Sequence, residues 1–316
     1  MKVKEETSWG DFLKYILGVF SVYFLICNIK DMCKKIINYK MEEVVIMDFY
    51  GVLGERLPHS ISPQIHEKIF ELLNIDGAYK IFEVDKKDIS RVCDSLRILK
   101  IKGTNVTIPY KQEIMKYLDS ISEEAKKIGA VNTIYLKEGK LFGHNTDYFG
   151  FGTILEKNNI NVKGQTAMVL GTGGASKAVV TYLLDKGIKK LYIVSRTAKN
   201  ESDYDDERVE YTTYEKTKGV KGQILVNTTP VGMYPKTGVS PVQEDVIGNF
   251  DTLIDIIYNP RMTRFLEIGQ ELDKKVCGGL EMLVGQAVKA EEIWQEVSIS
   301  SDVLDEVYEY INKQFK

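Results

Sequence analysis

The chain has 316 residues, of which 44% are hydrophobic and 28% are charged, and its formal net charge is −3. This length accommodates two domains with separate cores, and without a basic surplus we expect no nucleic-acid partner. The cysteines are scattered and form no CxxC pair, so we predict neither a metal site nor a disulfide framework. Cysteines that stay reduced are typical of cytoplasmic proteins, so we expect a cytoplasmic location.

The first 46 residues are predicted to form an extension that precedes the first domain. Residues 12–29 are almost entirely apolar and are followed by lysines. This segment is slightly shorter than the roughly 20 residues that cross a bilayer comfortably. Two interpretations stay open, namely a helix with weak membrane association and a non-native leader that ends before Met47.

From Met47 the chain alternates between strand and helix patterns. A strand at 49–53 leads through a proline-containing loop to a helix at 64–73, with Pro63 suited to its first turn. The patterns that follow are a strand at 78–84, a helix at 88–99, a strand at 105–108, a helix at 111–118 and a hairpin at 135–143. Such alternation indicates an α/β fold with a mostly parallel sheet.

Residues 166–180, TAMVLGTGGASKAVV, predict a buried strand, a glycine turn and a helix, preceded by a helix at 148–157. Glycines allow the backbone to approach a pyrophosphate, and the N-terminus of the following helix complements its charge. Ser176 stands where the usual fingerprint has its third glycine. A plain strand-to-helix connection is therefore the alternative to a dinucleotide site.

A second strand at 190–194 ends at Ser195, Arg196 and Thr197, about twenty residues past the glycines. An acidic residue at this place would bind the ribose hydroxyls of NAD. An arginine instead matches a phosphate on the ribose 2′ oxygen, so NADP is favoured. The alternative is a solvated arginine at the end of a strand.

The remaining patterns continue the α/β alternation to the end of the chain. They are a polar loop, a strand at 223–227, a strand at 252–258, a helix at 265–272, a strand at 275–277 and a helix at 280–297. A last amphipathic helix at 303–315 is predicted to pack on the fold.

Several side chains suit the chemistry of carbonyl reduction. Lys111 lies at a strand-to-helix junction, and Asp147, which ends the turn Asn145 to Asp147, is a candidate partner that would orient its ammonium group. Ser60 and Ser62 project to one side of an extended segment and suit a carboxylate. The alternatives are surface charges for the first pair and helix capping for Ser62.

His59 and His144 are alternative candidates for the proton donor. His59 and His144 have no adjacent carboxylate in the sequence that would orient the ring. We therefore favour Lys111 for the proton transfer, and we predict no metal site among the histidines.

Nine motifs occur together in one order. They are GVLGERLPHSISPQIH (51–66), GTNVTIPYK (103–111), GAVNT (129–133), GHNTD (143–147), GTGGAS (171–176), SRT (195–197), NTTPVGM (227–233), DIIYNP (255–260) and GLEMLVGQA (279–287). In these motifs the chain resembles the shikimate dehydrogenase family over residues 47–295. The resemblance implies NADPH-dependent, reversible reduction of 3-dehydroshikimate to shikimate, in the biosynthesis of chorismate and aromatic amino acids.

The resemblance also implies an organisation into domains. A substrate-binding α/β domain would span 47–146 and be completed by helices from 282–316. A Rossmann-type NADP-binding domain would span 147–281. The extension at 1–46 has no counterpart in the family pattern, and the oligomeric state stays open between monomer and homodimer.

Site residues follow from the same resemblance. It implies that Lys111 transfers the proton beside Asp147. The substrate-binding residues would be Ser60, Ser62, Thr107, Asn132, Asp147, Tyr258 and Gln286. The NADP-binding residues would be Gly171, Thr172, Gly173, Gly174, Ala175, Ser195, Arg196, Thr197, Asn200, Ile256 and Gly279. Ser195 and Asn200 depart from the family pattern, which has an asparagine at the first position and often a basic residue at the second.

Two other functions remain as alternatives. One is a quinate/shikimate dehydrogenase that uses both NAD and NADP, against which Arg196 argues. The other is a non-catalytic nucleotide-binding homologue. A protein that only binds would not need both Lys111 and Asp147.

Overall fold

The computed structural model describes residues 13–14, 17–22, 24, 26–30, 47–58, 60–197 and 204–315. The chain divides into two compact units, 1–46 and 47–316. In the first unit, the described residues between 13 and 30 are helical and exposed to solvent. No helix in these described ranges combines the length and apolar character that crossing a membrane requires.

The second unit contains two sheets, and the first sheet comes from its N-terminal part. Its strands are β1 (Asp48–Gly54), β2 (Gly77–Glu83), β3 (Gly103–Val106), β4 (Ser120–Ile121), β5 (Thr133–Lys137) and β6 (Lys140–His144). The strand order is β2-β1-β3-β5-β6-β4. β1 runs parallel to β2 and β3, whereas β5 runs antiparallel to both β3 and β6.

The predicted hairpin at 135–143 is confirmed and makes this sheet mixed. Its turn residues Glu138 and Gly139 both have positive φ, at 52° and 76°. Two such residues give a turn whose twist matches that of paired strands. β5 therefore reverses directly into β6, and this part of the sheet is antiparallel.

The second sheet is parallel throughout. Its strands are β7 (Thr166–Leu170), β8 (Lys190–Ser195), β9 (Val209–Thr213), β10 (Ile224–Asn227), β11 (Thr252–Asp255) and β12 (Lys275–Cys277). Their order is β12-β11-β10-β7-β8-β9. The chain reverses its direction of travel across the sheet between β7 and β10. In such sheets ligands bind beyond the carboxyl ends of the strands at this reversal.

Helices cover both sheets. They are α1 (Ser62–Leu73), α2 (Ile89–Ile98), α3 (Glu123–Ile128), α4 (Thr146–Lys157), α5 (Gly174–Asp185), α6 (Glu244–Ile247), α7 (Arg264–Glu271), α8 (Leu280–Gln295) and α9 (Ser301–Asn312). α8 and α9 pack against α1 through a buried cluster that includes Ile65, Val284 and Ile311. The C-terminal helices thus return to the N-terminal part of the unit.

The structure corrects two predicted elements. The helix predicted at 111–118 is wrong, because only a 3₁₀ helix at Glu113–Tyr117 forms. The carbonyl of Lys111 accepts a hydrogen bond from Val131 N at 2.8 Å and so lies outside a helical ladder. The strand predicted at 252–258 ends at Asp255, whose carboxylate accepts the N–H of Ile257 at 3.1 Å and turns the chain off the sheet.

Glycines bring α4 and α8 into close contact. A Cβ atom added at Gly150 would lie 2.5 Å from the carbonyl oxygen of Met282 and 3.0 Å from Cβ of Gln286. A Cβ atom added at Gly285 would lie 2.8 Å from Cβ of Thr153. Neither helix leaves room for a methyl group at these positions.

We therefore expect Gly285→Ala to destabilise the protein. Alanine favours the helix by about 1 kcal/mol, but overpacking costs about 1–3 kcal/mol, so the net loss should be up to about 2 kcal/mol. Urea unfolding followed by circular dichroism measures this loss. Gly219→Ala is the matched control, since a Cβ atom there would meet nothing within 4 Å. Equal stability of both variants would contradict the close contact of the helices.

Candidate active site

A cavity of about 580 Å³, called here the first cavity, collects the predicted substrate-binding and catalytic residues. Its wall includes the ends of β1 and β3, the segments that follow β1, β3 and β11, and residues of α1, α4, α5 and α8. The predicted residues that line it are Ser60, Ser62, Thr107, Lys111, Asn132, Asp147, Tyr258 and Gln286. Three predicted cofactor residues, Ala175, Ile256 and Gly279, line it as well.

Lys111 and Asp147 form an ion pair in this wall. Lys111 Nζ donates to Asp147 Oδ2 at 2.6 Å, and the two side chains are only 21% and 14% exposed. Asp147 lies in the first turn of α4 instead of the turn ahead of it, because the helix begins at Thr146. The pair provides a transferable proton whose position is fixed by a carboxylate.

A network of hydrogen bonds behind this pair fixes Asn132. Its Oδ1 accepts hydrogen bonds from the Thr146 N–H at 2.7 Å and from the Thr133 hydroxyl at 3.0 Å. The Thr146 hydroxyl also reaches Gln286 Oε1 at 3.3 Å. Because the oxygen of Asn132 is used within the protein, its amide nitrogen is the group left to donate to a ligand.

Ser60 and Ser62 stand next to each other at the start of α1. Ser60 Oγ lies 3.3 Å from Ser62 Oγ, close enough for one carboxylate to accept from both hydroxyls. Capping, the alternative for Ser62, is wrong, because the N-cap residue is Ile61 and no side chain caps this helix. The Ser62 hydroxyl also interacts with the buried Tyr79 side chain.

A second cavity of about 600 Å³ lies beyond the carboxyl ends of β7, β8 and β10. Predicted cofactor residues that line it are Gly171, Thr172, Gly173, Ser195 and Arg196. Gly174 and Ala175 form the first residues of α5. Thr197 is exposed, and its carbonyl accepts a hydrogen bond from the Ser195 hydroxyl. Asn200 lies outside the described residues, as does His59.

The glycine loop has the free space that a dinucleotide needs. Gly171 has φ of +105°, which side chains rarely adopt. A Cβ atom added at Gly173 or Gly174 would meet nothing within 4 Å. The Ser176 hydroxyl donates to the carbonyl of Gly171 at 2.8 Å and thereby closes the turn without a third glycine. The loop and the N-terminus of α5 therefore fit a pyrophosphate.

Both cavities are also lined by residues for which the sequence predicted no functional role. In the first cavity these are Arg56, Asn105, Met233, Met282 and Leu283, and in the second Tyr214, Thr228, Thr229, Ser240 and Pro241. Asn105 could have been predicted as a cavity residue, because residues two positions apart in an extended segment face the same side, and Thr107 was already predicted to bind substrate. His144 does not line the first cavity and instead lies 3.6 Å from Glu124.

A parallel sheet that ends on a glycine loop, beside a polar cavity with a lysine–aspartate ion pair, is the arrangement of a nicotinamide-dependent oxidoreductase. The family model described as shikimate dehydrogenase substrate binding domain matches residues 52–134. The NADP(+) shikimate dehydrogenase of Clostridium beijerinckii is 61% identical over 270 residues, which are 85% of this chain and all of that relative. The chain belongs to the shikimate dehydrogenase family.

Solved structures of the family agree with this fold. Shikimate dehydrogenase 1 of Peptoclostridium difficile is 53% identical, has a TM-score of 0.79, and is matched over 85% of this chain and 99% of its own. The enzyme of Thermus thermophilus in complex with NADP(H) and shikimate is 31% identical with a TM-score of 0.73, over 84% of this chain and 99% of its own.

Proposed function

We propose that this chain catalyses the reversible reduction of 3-dehydroshikimate to shikimate with NADPH. The chain is an oxidoreductase of the shikimate pathway, and NADP is its cofactor. Within the structure, the observation that carries the proposal is the Lys111–Asp147 pair in a cavity that the glycine-loop helix also lines.

The substrate is a small anion with several hydroxyl groups, and the first cavity offers matching polar side chains. Ser60 and Ser62 bind the carboxylate with two hydroxyls. The remaining polar groups bind the ring hydroxyls and the reacting oxygen, and they are Thr107, Asn132, Asp147, Tyr258 and Gln286. The polar character of this wall supports selection of such a ring over an apolar one.

Proton transfer takes place at Lys111 Nζ. NADPH, when bound, supplies the hydride to the carbonyl carbon. Lys111 donates a proton to the carbonyl oxygen as it becomes a hydroxyl, and Asp147 keeps the ammonium group in place. In the reverse direction Lys111 removes the same proton. The low exposure of the pair limits the access of water to this proton.

NADP is held by residues of both cavities in this proposal. The backbone from Gly171 to Ala175 binds the pyrophosphate, and Ser195, Arg196 and Thr197 bind the phosphate on the adenosine ribose. Asn200 is proposed at the same end from the family resemblance alone. Ile256 and Gly279 border the nicotinamide, because they line the first cavity beside Lys111 and Asp147.

The domain assignment remains part of the proposal. Residues 47–146 with 282–316 form the substrate domain, and residues 147–281 form the NADP domain. The two sheets and the return of α8 and α9 to α1 support this division. We propose a cytoplasmic location, because NADPH and free cysteines such as Cys93 and Cys277 belong to a reducing compartment.

A spectrophotometric assay at 340 nm tests the function with four combinations, shikimate or quinate with NADP or NAD. We expect shikimate with NADP to give the largest kcat/KM. Comparable turnover of quinate, or equal use of NAD, would instead identify a quinate/shikimate dehydrogenase. A protein that binds NADP but turns over neither substrate would be a non-catalytic homologue, and the proposed function would be wrong.

A further inference from the structure

Asp255 is a carboxylate without exposed surface at the carboxyl end of β11. The proposed mechanism gives it no role. The next residues, Ile256 and Tyr258, line the first cavity. Any group that fixes the chain at Asp255 therefore also fixes part of the substrate site.

Three different segments donate hydrogen bonds to this carboxylate. The Thr263 hydroxyl donates to Oδ2 at 2.7 Å. Asn227 Nδ2 and the Ile257 N–H each donate to Oδ1 at 3.1 Å. Thr263 precedes α7 and caps it, Asn227 ends β10, and Ile257 belongs to the segment between Ile256 and Tyr258.

Asn227 links the carboxylate of Asp255 to the wall of the second cavity. Its Oδ1 accepts hydrogen bonds from the Thr229 N–H at 3.0 Å and from the Thr229 hydroxyl at 2.7 Å. Thr229 and Val231 line the second cavity, and the carbonyl of Val231 accepts from Asn227 Nδ2 at 3.4 Å. One buried carboxylate thus connects a wall of each cavity.

We propose that Asp255 is a positioning residue whose ionised carboxylate holds the segment 256–258 and the loop 227–231 in their relative places. The carboxylate touches neither substrate nor cofactor and acts through Asn227, Ile257 and Thr263. For its rate measurements this inference rests on the proposed function. Its binding measurements do not depend on that function.

The charge of Asp255 changes close to neutral pH. Burial raises the pKa of its carboxyl to about 6, although the hydrogen bonds from Thr263, Ile257 and Asn227 oppose this shift. The two nearby arginines are engaged elsewhere, and burial raises the pKa of Tyr258, so its phenol is neutral in this range. Arg261 bonds to Tyr308 and Asn312, Arg264 bonds to Glu267 and Glu271, and burial raises the pKa of Cys277 to about 11, so its thiol is neutral.

Protonation reverses one of these hydrogen bonds. A proton on Oδ2 turns this acceptor into a donor, so the Thr263 hydroxyl can no longer donate to it. We therefore expect NADP affinity and kcat/KM to fall as the pH drops through about 6.

Asp255→Asn reproduces the protonated carboxyl with the same shape. Its amide NH₂ group replaces Oδ2, while the remaining oxygen still accepts from Asn227 and Ile257. At pH 8 we expect the Kd for NADPH and the KM for NADP to rise by about 3–10-fold, the loss expected for weakening one charge-assisted hydrogen bond. The decline below pH 6 should disappear, because the variant has no carboxyl group to titrate.

The stability of the variant distinguishes positioning from a merely structural role. The folded pKa of about 6 lies above the ordinary value of 3.8, so ionisation of Asp255 opposes folding above pH 6, and this cost disappears as the pH falls towards 4. The neutral amide avoids the cost. We expect the Tm of Asp255→Asn at pH 8 to equal or exceed that of the wild type while NADP affinity is reduced.

The experiment measures NADPH fluorescence titrations, kcat/KM from pH 5 to 9, and Tm for the full chain. Asp251→Asn, at an exposed aspartate beside β11, is the control and should match the wild type in all three. Unchanged NADP affinity with the acid decline retained in Asp255→Asn would overturn the inference. A lower Tm with a parallel loss of activity would also overturn it, because that pattern indicates structure alone.

A second variant keeps the inference testable if Asp255→Asn does not fold. Thr263→Val removes a hydrogen bond that stabilises the ionised carboxylate, so the acid decline should move above pH 6. Loss of the helix cap alone would lower Tm without moving this decline, and that result would contradict the inference. If the wild type oxidises no shikimate, the proposed function fails, and the NADPH titrations still decide the role of Asp255.

Discussion

Lys111→Ala is expected to lower kcat by about 10²–10⁴-fold, the range that general acid–base catalysis contributes. Among the described residues that line the first cavity, the cationic side chains are Lys111 and Arg56. Arg56 is 71% exposed beside Asp85 and Glu83, and a guanidinium group does not release its proton near neutral pH. No other cation of this wall can therefore replace the lysine in proton transfer.

Steady-state kinetics with shikimate and NADP measure this effect. The KM for shikimate should change much less than kcat, because the hydroxyls and amides of the cavity remain. Lys116→Ala removes an exposed lysine that pairs with Glu113 in the following 3₁₀ helix, and this control should keep wild-type rates. A near-normal kcat in Lys111→Ala would remove this lysine from the chemistry.

Arg196→Ala is expected to raise the KM for NADP by about 10–100-fold, as expected for hydrogen bonds to a charged group worth about 1.5–3 kcal/mol. The KM for NAD should change little, because NAD lacks the phosphate that this arginine is proposed to bind. Arg196 lines the second cavity at the end of β8, beside Ser195. The variant should therefore lose its preference for NADP.

The ratio of kcat/KM for NADP to that for NAD is the quantity to measure. Arg91→Ala is a suitable control, since this 81% exposed arginine of α2 lies outside both the first and the second cavity. Equal losses with both cofactors would show that Arg196 supports the fold of the loop and does not select the phosphate.

Local patterns predicted most elements of the fold. The apolar run Ala167–Leu170 and the glycines after it indicated β7 and α5, because burial on both faces requires continuous apolar residues. β9 was missed, since its sequence VEYTT is polar and the strand lies at the edge of the sheet. The short α6 was missed as well, because four residues give no helical periodicity.

The sequence predicted which residues belong to the candidate site, but not how their side chains are arranged in space. Lys111 and Asp147 are 36 positions apart in sequence, and their 2.6 Å contact depends on how β3 and α4 pack. The motifs indicated that both residues belong together, but not that Asp147 would lie inside a helix. Asp255 received no role because its importance comes from burial and from partners on three segments, and neither is visible in the sequence.

The tight pairing of α4 with α8 also links the fold to the site. α4 leads the chain from the first sheet to the second, and α8 leads it back towards α1. Both crossings therefore run through one helix pair without a spare methyl's width between them. Asp147 lies on α4, Gln286 lies on α8, and both side chains line the first cavity. The glycines that let these helices touch thus also set the distance between two residues of the proposed substrate site.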